Sequence, residues 1–237
     1  MTVIPGLTGY LTTINMNKIH SKYIPSIESL SDQTLHQTLA SLESNGISNI
    51  NWNEYPYAPS VSFRMAHSDI AIAILFEVTE DHVKAVAMED NGPVWQDSCV
   101  EFFVKPASGR GYCNFEFNCG GTMLAFHIPD HRRVPGGFVD FHRLSPEQCQ
   151  MVNRYTTLPR VNDPERVGKR VWCLAFSIPF EIFAEEFGQA IPKAGDVWSG
   201  NFYKCGGELS HPHWGTWSPI PVLNFHTPEA FSALRFA

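Results

Sequence analysis

Two neighbouring stretches, Ser98 to Val104 and Tyr112 to Asn118, change character every second residue, and a Pro/Ser/Gly-rich turn separates them. A period of two excludes a helix and demands strands, whose side chains point alternately to the two faces of a sheet. Val100, Phe102 and Val104 then share one face, with Cys99, Glu101 and Phe103 on the other. In the second stretch Cys113, Phe115, Phe117 and Cys119 are apolar, while Tyr112, Asn114, Glu116 and Asn118 line the opposite face. Gly120-Gly121 turns the chain into a third strand, Thr122 to Ile128. The minimal fold is an antiparallel meander with one apolar face.

The same pattern extends along the chain. Ser60 to His67 alternates, Ile70 to Val78 is long and apolar, and Val83 to Met88 follows a turn expected at Thr79-Glu80-Asp81. Met151 to Leu158, Arg170 to Ile178, Trp198 to Lys204 and Phe231 to Phe236 add further strands; 129–148 and 159–168 read as loops, being rich in Pro, Gly and charge. Two helices are expected. One runs from Ser31 to Glu43, with Ser31 as cap, Leu35, Leu39 and Leu42 as its apolar stripe, and Asn45-Gly46 as its stop. The other opens at Pro179, carries Phe180, Phe183 and Phe187, and ends at Gly188. Many short strands with brief helices predict an all-β, antiparallel sandwich covered by one or two short helices. The expected division is a loose extension over 1–18 and one sandwich domain over 19–237.

A net charge of −7 and the lack of a basic patch argue against nucleic acid. The longest apolar run, Ile70 to Phe76, is too short to cross a bilayer, so no membrane partner is expected. The amino terminus has no Lys or Arg before Lys18 and no continuous apolar run; it does not read as a secretory signal, and Met16 is an alternative start. The expectation is a cytoplasmic protein unless an export signal lies outside this sequence. Six cysteines without metal-site spacing predict buried thiols, in keeping with a reducing compartment.

The polar face of the meander suggests a ligand. Carboxylates and amides set in a row match sugar hydroxyls, each of which gives and takes a hydrogen bond, and Trp95 stands at the entrance behind the turn Asn91-Gly92-Pro93. Trp214 and Trp217 lie in a second loop, Ser210 to Ser218, whereas Trp52, Trp172 and Trp198 are expected in the core. A stacked sugar ring buries about 50–100 Å², which contributes roughly 1–2.5 kcal/mol per indole. Micromolar binding needs about 8 kcal/mol, so hydrogen bonds to charged groups must supply the difference.

Further pieces sharpen this. V-W-Q-D-S-C-V-E-F-F-V at 94–104 and Y-C-N-F-E-F-N at 112–118 are followed in order by F-S-I-P-F at 176–180, W-S-G-N-F-Y-K-C-G at 198–206, W-S-P at 217–219 and F-H-T-P-E-A-F at 225–231. In this order they resemble the family 9 carbohydrate-binding modules and their single-domain relatives, from about Ser60 onward. The resemblance implies a jelly-roll-like sandwich that holds a mono- or oligosaccharide between two tryptophans, often beside a glycoside hydrolase. Carried over by position, Trp95 and Glu101 match the first tryptophan and its acid; Trp217 matches the second, with Trp214 competing for that role. Asn114, Glu116 and Asn118 complete the expected ligand-binding set. The resemblance also implies a structural calcium, for which no D-x-D-x-D loop is visible.

Two other readings stand beside it. Glu101 and Glu116 on neighbouring strands are candidates for the paired carboxyls of a glycosidase. A haem or metal protein would draw on Met65, Met88 and Met123, or on His211, His213 and Cys205.

Overall fold

A computed structural model describes residues 17–188 and 191–237. Of the expected extension over 1–18, residues 1–16 lie outside the described residues, and Lys18 already opens the first strand. Thirteen strands and three α-helices follow: β1 (Lys18–Tyr23), α1 (Asp32–Ala40), β2 (Asn45–Gly46), β3 (Ser60–His67), β4 (Ala71–Ala85), β5 (Cys99–Lys105), β6 (Tyr112–Asn118), β7 (Met123–Val134), β8 (Gly137–Arg143), α2 (Pro146–Met151), β9 (Asn153–Thr156), β10 (Asn162–Pro179), α3 (Phe180–Phe187), β11 (Val197–Gly206), β12 (His213–Thr216) and β13 (Ser232–Phe236).

The strands form two facing layers. One runs β8-β7-β6-β5-β11-β13, with β12 on β11; the other runs β3-β4-β10-β9, with β2 on β3. β1 joins them, pairing with β13 at Lys18–Ser21 and with β3 at Lys22–Tyr23. Both of these pairings are parallel, so the expected all-antiparallel sandwich holds everywhere except at this bridging strand. The bridge closes one side of the sandwich and shields edges that would otherwise be open.

Inward faces of the two layers stack aromatic on aromatic. Phe63 of β3 lies 3.7 Å from Phe202 of β11, and Phe117 of β6 lies 4.3 Å from Phe176 of β10. Val100, Phe102, Val104, Cys113, Phe115, Phe117 and Cys119 all point into this core, as their alternation required. Helix α1 covers the outer face of β3, β4 and β10 with Leu35 and Leu39. It ends three residues earlier than expected. Ser31 precedes it in extended geometry, but its hydroxyl meets that of Thr34 and not the helix backbone. Helix α3 follows Pro179 and stops at Gly188, whose φ of 61° is the left-handed conformation that glycine tolerates best.

Three loops expected from polarity turn out to be strand or helix. Thr79-Glu80-Asp81 lies inside the single strand β4, because the Glu80 carboxylate is buried against Lys204 and needs no turn to reach water. Much of 159–168 belongs to the exposed, irregular start of β10. The segment 129–148 holds the end of β7, all of β8, and the start of α2, which Ser145 and Gln148 cap with a reciprocal capping box. The β7–β8 hairpin builds one wall of the site described next.

Candidate functional site

The outward face of the longer layer is not flat. Glu101 of β5 is in register with Glu116 of β6 on one side and Tyr203 of β11 on the other; Cys205 of β11 is in register with Cys99 and with Trp214 of β12. Of these outward residues, Glu101, Glu116 and Cys205 floor a cavity of 570 Å³. Trp95 and Trp214 line it together with Phe126, Phe138, Phe141, the guanidinium groups of Arg133 and Arg143, and the segment Leu223–His226.

Trp95 is 45% exposed, yet its backbone is firmly held. It sits in a single 3-10 turn, Val94–Gln96, after Asn91 at a φ of 65°. Its carbonyl accepts from the Gly207 amide at 3.0 Å, and the Gln96 carbonyl accepts from Glu208 at 3.0 Å. Below it, Asp97 accepts from the Val86 and Ala87 amides and from Asn118 Nδ2, each at 3.0 Å. An exposed indole on a tied backbone loses little freedom when it meets a ligand. Trp214 is braced differently: the ring of Tyr55 meets it edge-on at 4.4 Å.

Trp217 is not in the cavity. It is 4% exposed and packed between the layers, at right angles to Phe63 and Phe202. The expected pairing of Trp95 with Trp217 across one cavity is therefore not met; the tryptophan that lines the cavity with Trp95 is Trp214. Asn118 is also withdrawn from the ligand set, because its amide is used up internally: Nδ2 donates to Ala87 O and Asp97, and Oδ1 accepts from Gly120 and Thr122. Asn114 is fully buried and does not line the cavity; its Nδ2 donates to Glu116 Oε1 at 2.7 Å and so orients that carboxyl. Trp172 and Trp198 lie in the core as expected, while Trp52 packs on the outer face against Phe225.

The floor carries two buried carboxyls that, among the described residues, have no guanidinium or ammonium partner in their hydrogen bonds. Burial, and then the neighbouring Cys205 and Glu116, hold Glu101 well above the usual carboxylate range. Burial likewise pushes Glu116 up to about 7, against the opposing pull of the Asn114 amide. A carboxyl that keeps its proton near neutrality both donates and accepts, which is the bonding capacity of a hydroxyl. Beneath the floor, on the inward face, Lys204 Nζ pairs with Glu80 Oε2 at 2.9 Å and donates to Cys205 O at 2.8 Å. His213 takes a third contact with Lys204 at 3.0 Å, and burial holds its pKa down at about 2.

Cysteine chemistry is quiet here. All six cysteines are free and buried, and burial pushes the Cys99 thiol up to about 12, far from a reactive thiolate. Among the described residues, three groups place ligand atoms close enough for a metal ion: His36, Glu77 and Cys173; Cys99, Glu101 and Cys205; and His127, His142 and Glu186. Neither the His211–His213–Cys205 grouping nor an oxygen-rich calcium cage is among them. Met65 and Met123 pack into the inter-sheet core and Met88 lies on the surface. Arg133, Phe138, Phe141 and Arg143 join the site from the segment expected as a loop, and Phe126 from the expected strand Thr122 to Ile128, which carried no signal for a ligand.

The model of carbohydrate-binding family 9 matches residues 31–236. The chain belongs to that family. This family 9 protein is 35% identical to a Bacteroides uniformis protein assigned by inference to carbohydrate binding, over 94% of this chain and 100% of that one, with a TM-score of 0.82. Two structures of a family 9 module from Caldicellulosiruptor kristjanssonii share its fold. The complex with glucose is 13% identical over 93% of this chain and 96% of that one, with a TM-score of 0.58. The complex with cellotriose is 12% identical over 93% of each chain, with a TM-score of 0.54. No curated protein matches.

Proposed function

We propose that this family 9 protein binds a mono- or oligosaccharide in the cavity between Trp95 and Trp214, without chemistry of its own. The observation that carries the reading is the joining, in one 570 Å³ recess, of an aromatic rim with a floor of buried carboxyls. The indoles offer apolar plates to the C–H faces of a sugar, each contributing about 1–2.5 kcal/mol by area. Glu101 and Glu116 exchange hydrogen bonds with the hydroxyls, aided by Arg133 and Arg143 at the wall, whose charge-assisted bonds contribute about 1.5–3 kcal/mol each. Membership of the family and the glucose and cellotriose complexes of related modules support this assignment. A glycoside hydrolase acting on the same glycan is the partner it implies.

Calorimetric titration with glucose and cellotriose tests the reading. Trp95→Ala and Trp214→Ala should each weaken binding by about 5- to 70-fold, the range that 1–2.5 kcal/mol converts to. Trp217→Ala should instead leave affinity nearly intact while destabilising the fold by about 3–5 kcal/mol, as a large core truncation does. Undiminished binding in both cavity variants would remove the clamp. The same purified protein should release no nitrophenol from nitrophenyl glycosides. Release that vanishes in Glu101→Gln would replace this reading with hydrolysis by the Glu101–Glu116 pair.

A further inference from the structure

On the side of the β7–β8 hairpin facing away from the cavity, three side chains converge, one of them held by a hydrogen bond between His142 Nε2 and Glu186 Oε2 and another with one ring nitrogen left unpartnered. His127 of β7 and His142 of β8 are register partners, and Glu186 reaches them from the last turn of α3. Glu186 Oε2 lies 2.9 Å from His127 Nδ1 and 2.8 Å from His142 Nε2. His127 is 6% exposed, and its other nitrogen, Nε2, lies 3.0 Å from the Arg110 carbonyl oxygen. A carbonyl oxygen only accepts, so Nε2 carries a ring proton and Nδ1 is the nitrogen turned toward Glu186. Nδ1 lies close to a carboxylate oxygen, but its in-plane axis does not point at that oxygen, and Nδ1 is left as a buried polar atom without a hydrogen-bond partner. A nitrogen and a carboxylate oxygen at this separation call for a positive charge beside them, which a second ring proton or a metal ion can supply.

We propose that His127 Nδ1, His142 Nε2 and Glu186 form a binding site for a zinc-class divalent transition metal. The three ligand atoms lie within 4.8 Å of one another. Two imidazoles and one carboxylate are the set that borderline ions accept, leaving a fourth position for water; calcium and magnesium prefer oxygen alone. The supporting contacts are those that metal ligands need. The Arg110 carbonyl fixes the His127 tautomer, and Gln148 Nε2 donates to Glu186 Oε1 at 2.9 Å, leaving Oε2 for the ion. Ligands around tetrahedral zinc stand about 3.4 Å apart, so loading requires the carboxylate to retreat by roughly half an ångström. His142 is half exposed and opens a route for entry. The site has a structural consequence, because Phe126 and Arg143, the register pair beside His127 and His142, project into the cavity wall. A bound ion would tie that wall to α3.

Chelator-stripped protein, kept reduced with a phosphine, is titrated calorimetrically with Zn²⁺ and in parallel with Ca²⁺. The expected result is one equivalent of Zn²⁺ with no matching Ca²⁺ event, together with visible d–d absorption when Co²⁺ is added instead. His142→Ala, at a half-exposed position that the fold does not depend on, and Glu186→Gln should each lower Zn²⁺ affinity at least about tenfold. Absence of stoichiometric Zn²⁺ binding in the unaltered chain would overturn the proposal. So would a site whose affinity is the same in both variants, since the ion would then sit elsewhere.

Discussion

Replacing Glu116 by glutamine should stabilise this protein at alkaline pH, by an amount set by the carboxyl's burial. Glu116 faces Glu101 across the β5–β6 pair, and burial lifts it from an ordinary 4.5 to about 7. The folded state therefore holds this proton more tightly than the unfolded chain does. The stabilisation this affords is complete below about pH 4.5 and is lost as pH rises through about 7. Each tenfold difference in proton affinity corresponds to about 1.4 kcal/mol, so the loss approaches about 3 kcal/mol by pH 8. Glutamine has nearly the same volume, carries no charge at any pH, and keeps an oxygen to accept the 2.7 Å bond from Asn114. Urea unfolding followed by tryptophan fluorescence at pH 5, 6, 7 and 8 supplies the test. Taking the two proteins as equal in acid, the variant should lead by about 1 kcal/mol at pH 5, about 2 kcal/mol at pH 6 and about 3 kcal/mol at pH 7 and 8. Ionisable groups other than Glu101 shift both curves alike and drop out of the difference; Glu101, which Glu116 helps to hold protonated, is relieved in the variant and adds in the same direction. Parallel curves, or a variant that is less stable at pH 8, would refute the reasoning, for they would mean that the folded protein welcomes the charge.

Two further substitutions probe what holds the site. Asp97→Ala removes the acceptor shared by Val86 N, Ala87 N and Asn118 Nδ2; it should cost about 2–4 kcal/mol in denaturant and weaken sugar binding by loosening the turn that carries Trp95. Lys204→Met leaves Glu80 buried without its ion-pair partner and should destabilise by about 3–5 kcal/mol, whereas adding Glu80→Gln in the same chain should recover most of that loss in thermal unfolding.

The period of two was enough to read β3, β5, β6 and β11 nearly residue for residue, because each of these strands has one face in the inter-sheet core. It failed where burial was not apolar. Glu80 in the middle of β4 looked like a turn residue, and only the tertiary partners Lys204 and Trp172, whose Nε1 donates to Glu80 at 2.7 Å, make it a strand residue. It failed also where neither face is buried: β8 is exposed along most of its length, so nothing in its composition announces a strand. The bridging strand β1 was unread for a different reason. Its pairings are parallel and reach residues more than forty positions away in one direction and about two hundred in the other, and no local pattern encodes them.

The floor of the site was legible and half of its rim was not. Glu101 and Glu116 follow from alternation alone, since the apolar members of β5 and β6 had to point inward. The same alternation also contained the answer for the second tryptophan. Positions 214 and 217 differ by an odd number, so an extended chain sends them to opposite faces. His213, next to Trp214, is fully buried against Lys204 on the inward side, which leaves Trp214 facing out and returns Trp217 to the core. The loop-like run of Gly, Pro and Ser around these residues concealed that β12 is a strand paired with β11, where parity applies. Asn118 shows the complementary error. Its place on the polar face was read correctly, but an amide on that face serves the ligand only if the backbone has not already claimed it, and here Gly120, Thr122 and Ala87 have. Alternation assigns a side chain to a face; competition for its hydrogen bonds decides whether it is free to bind.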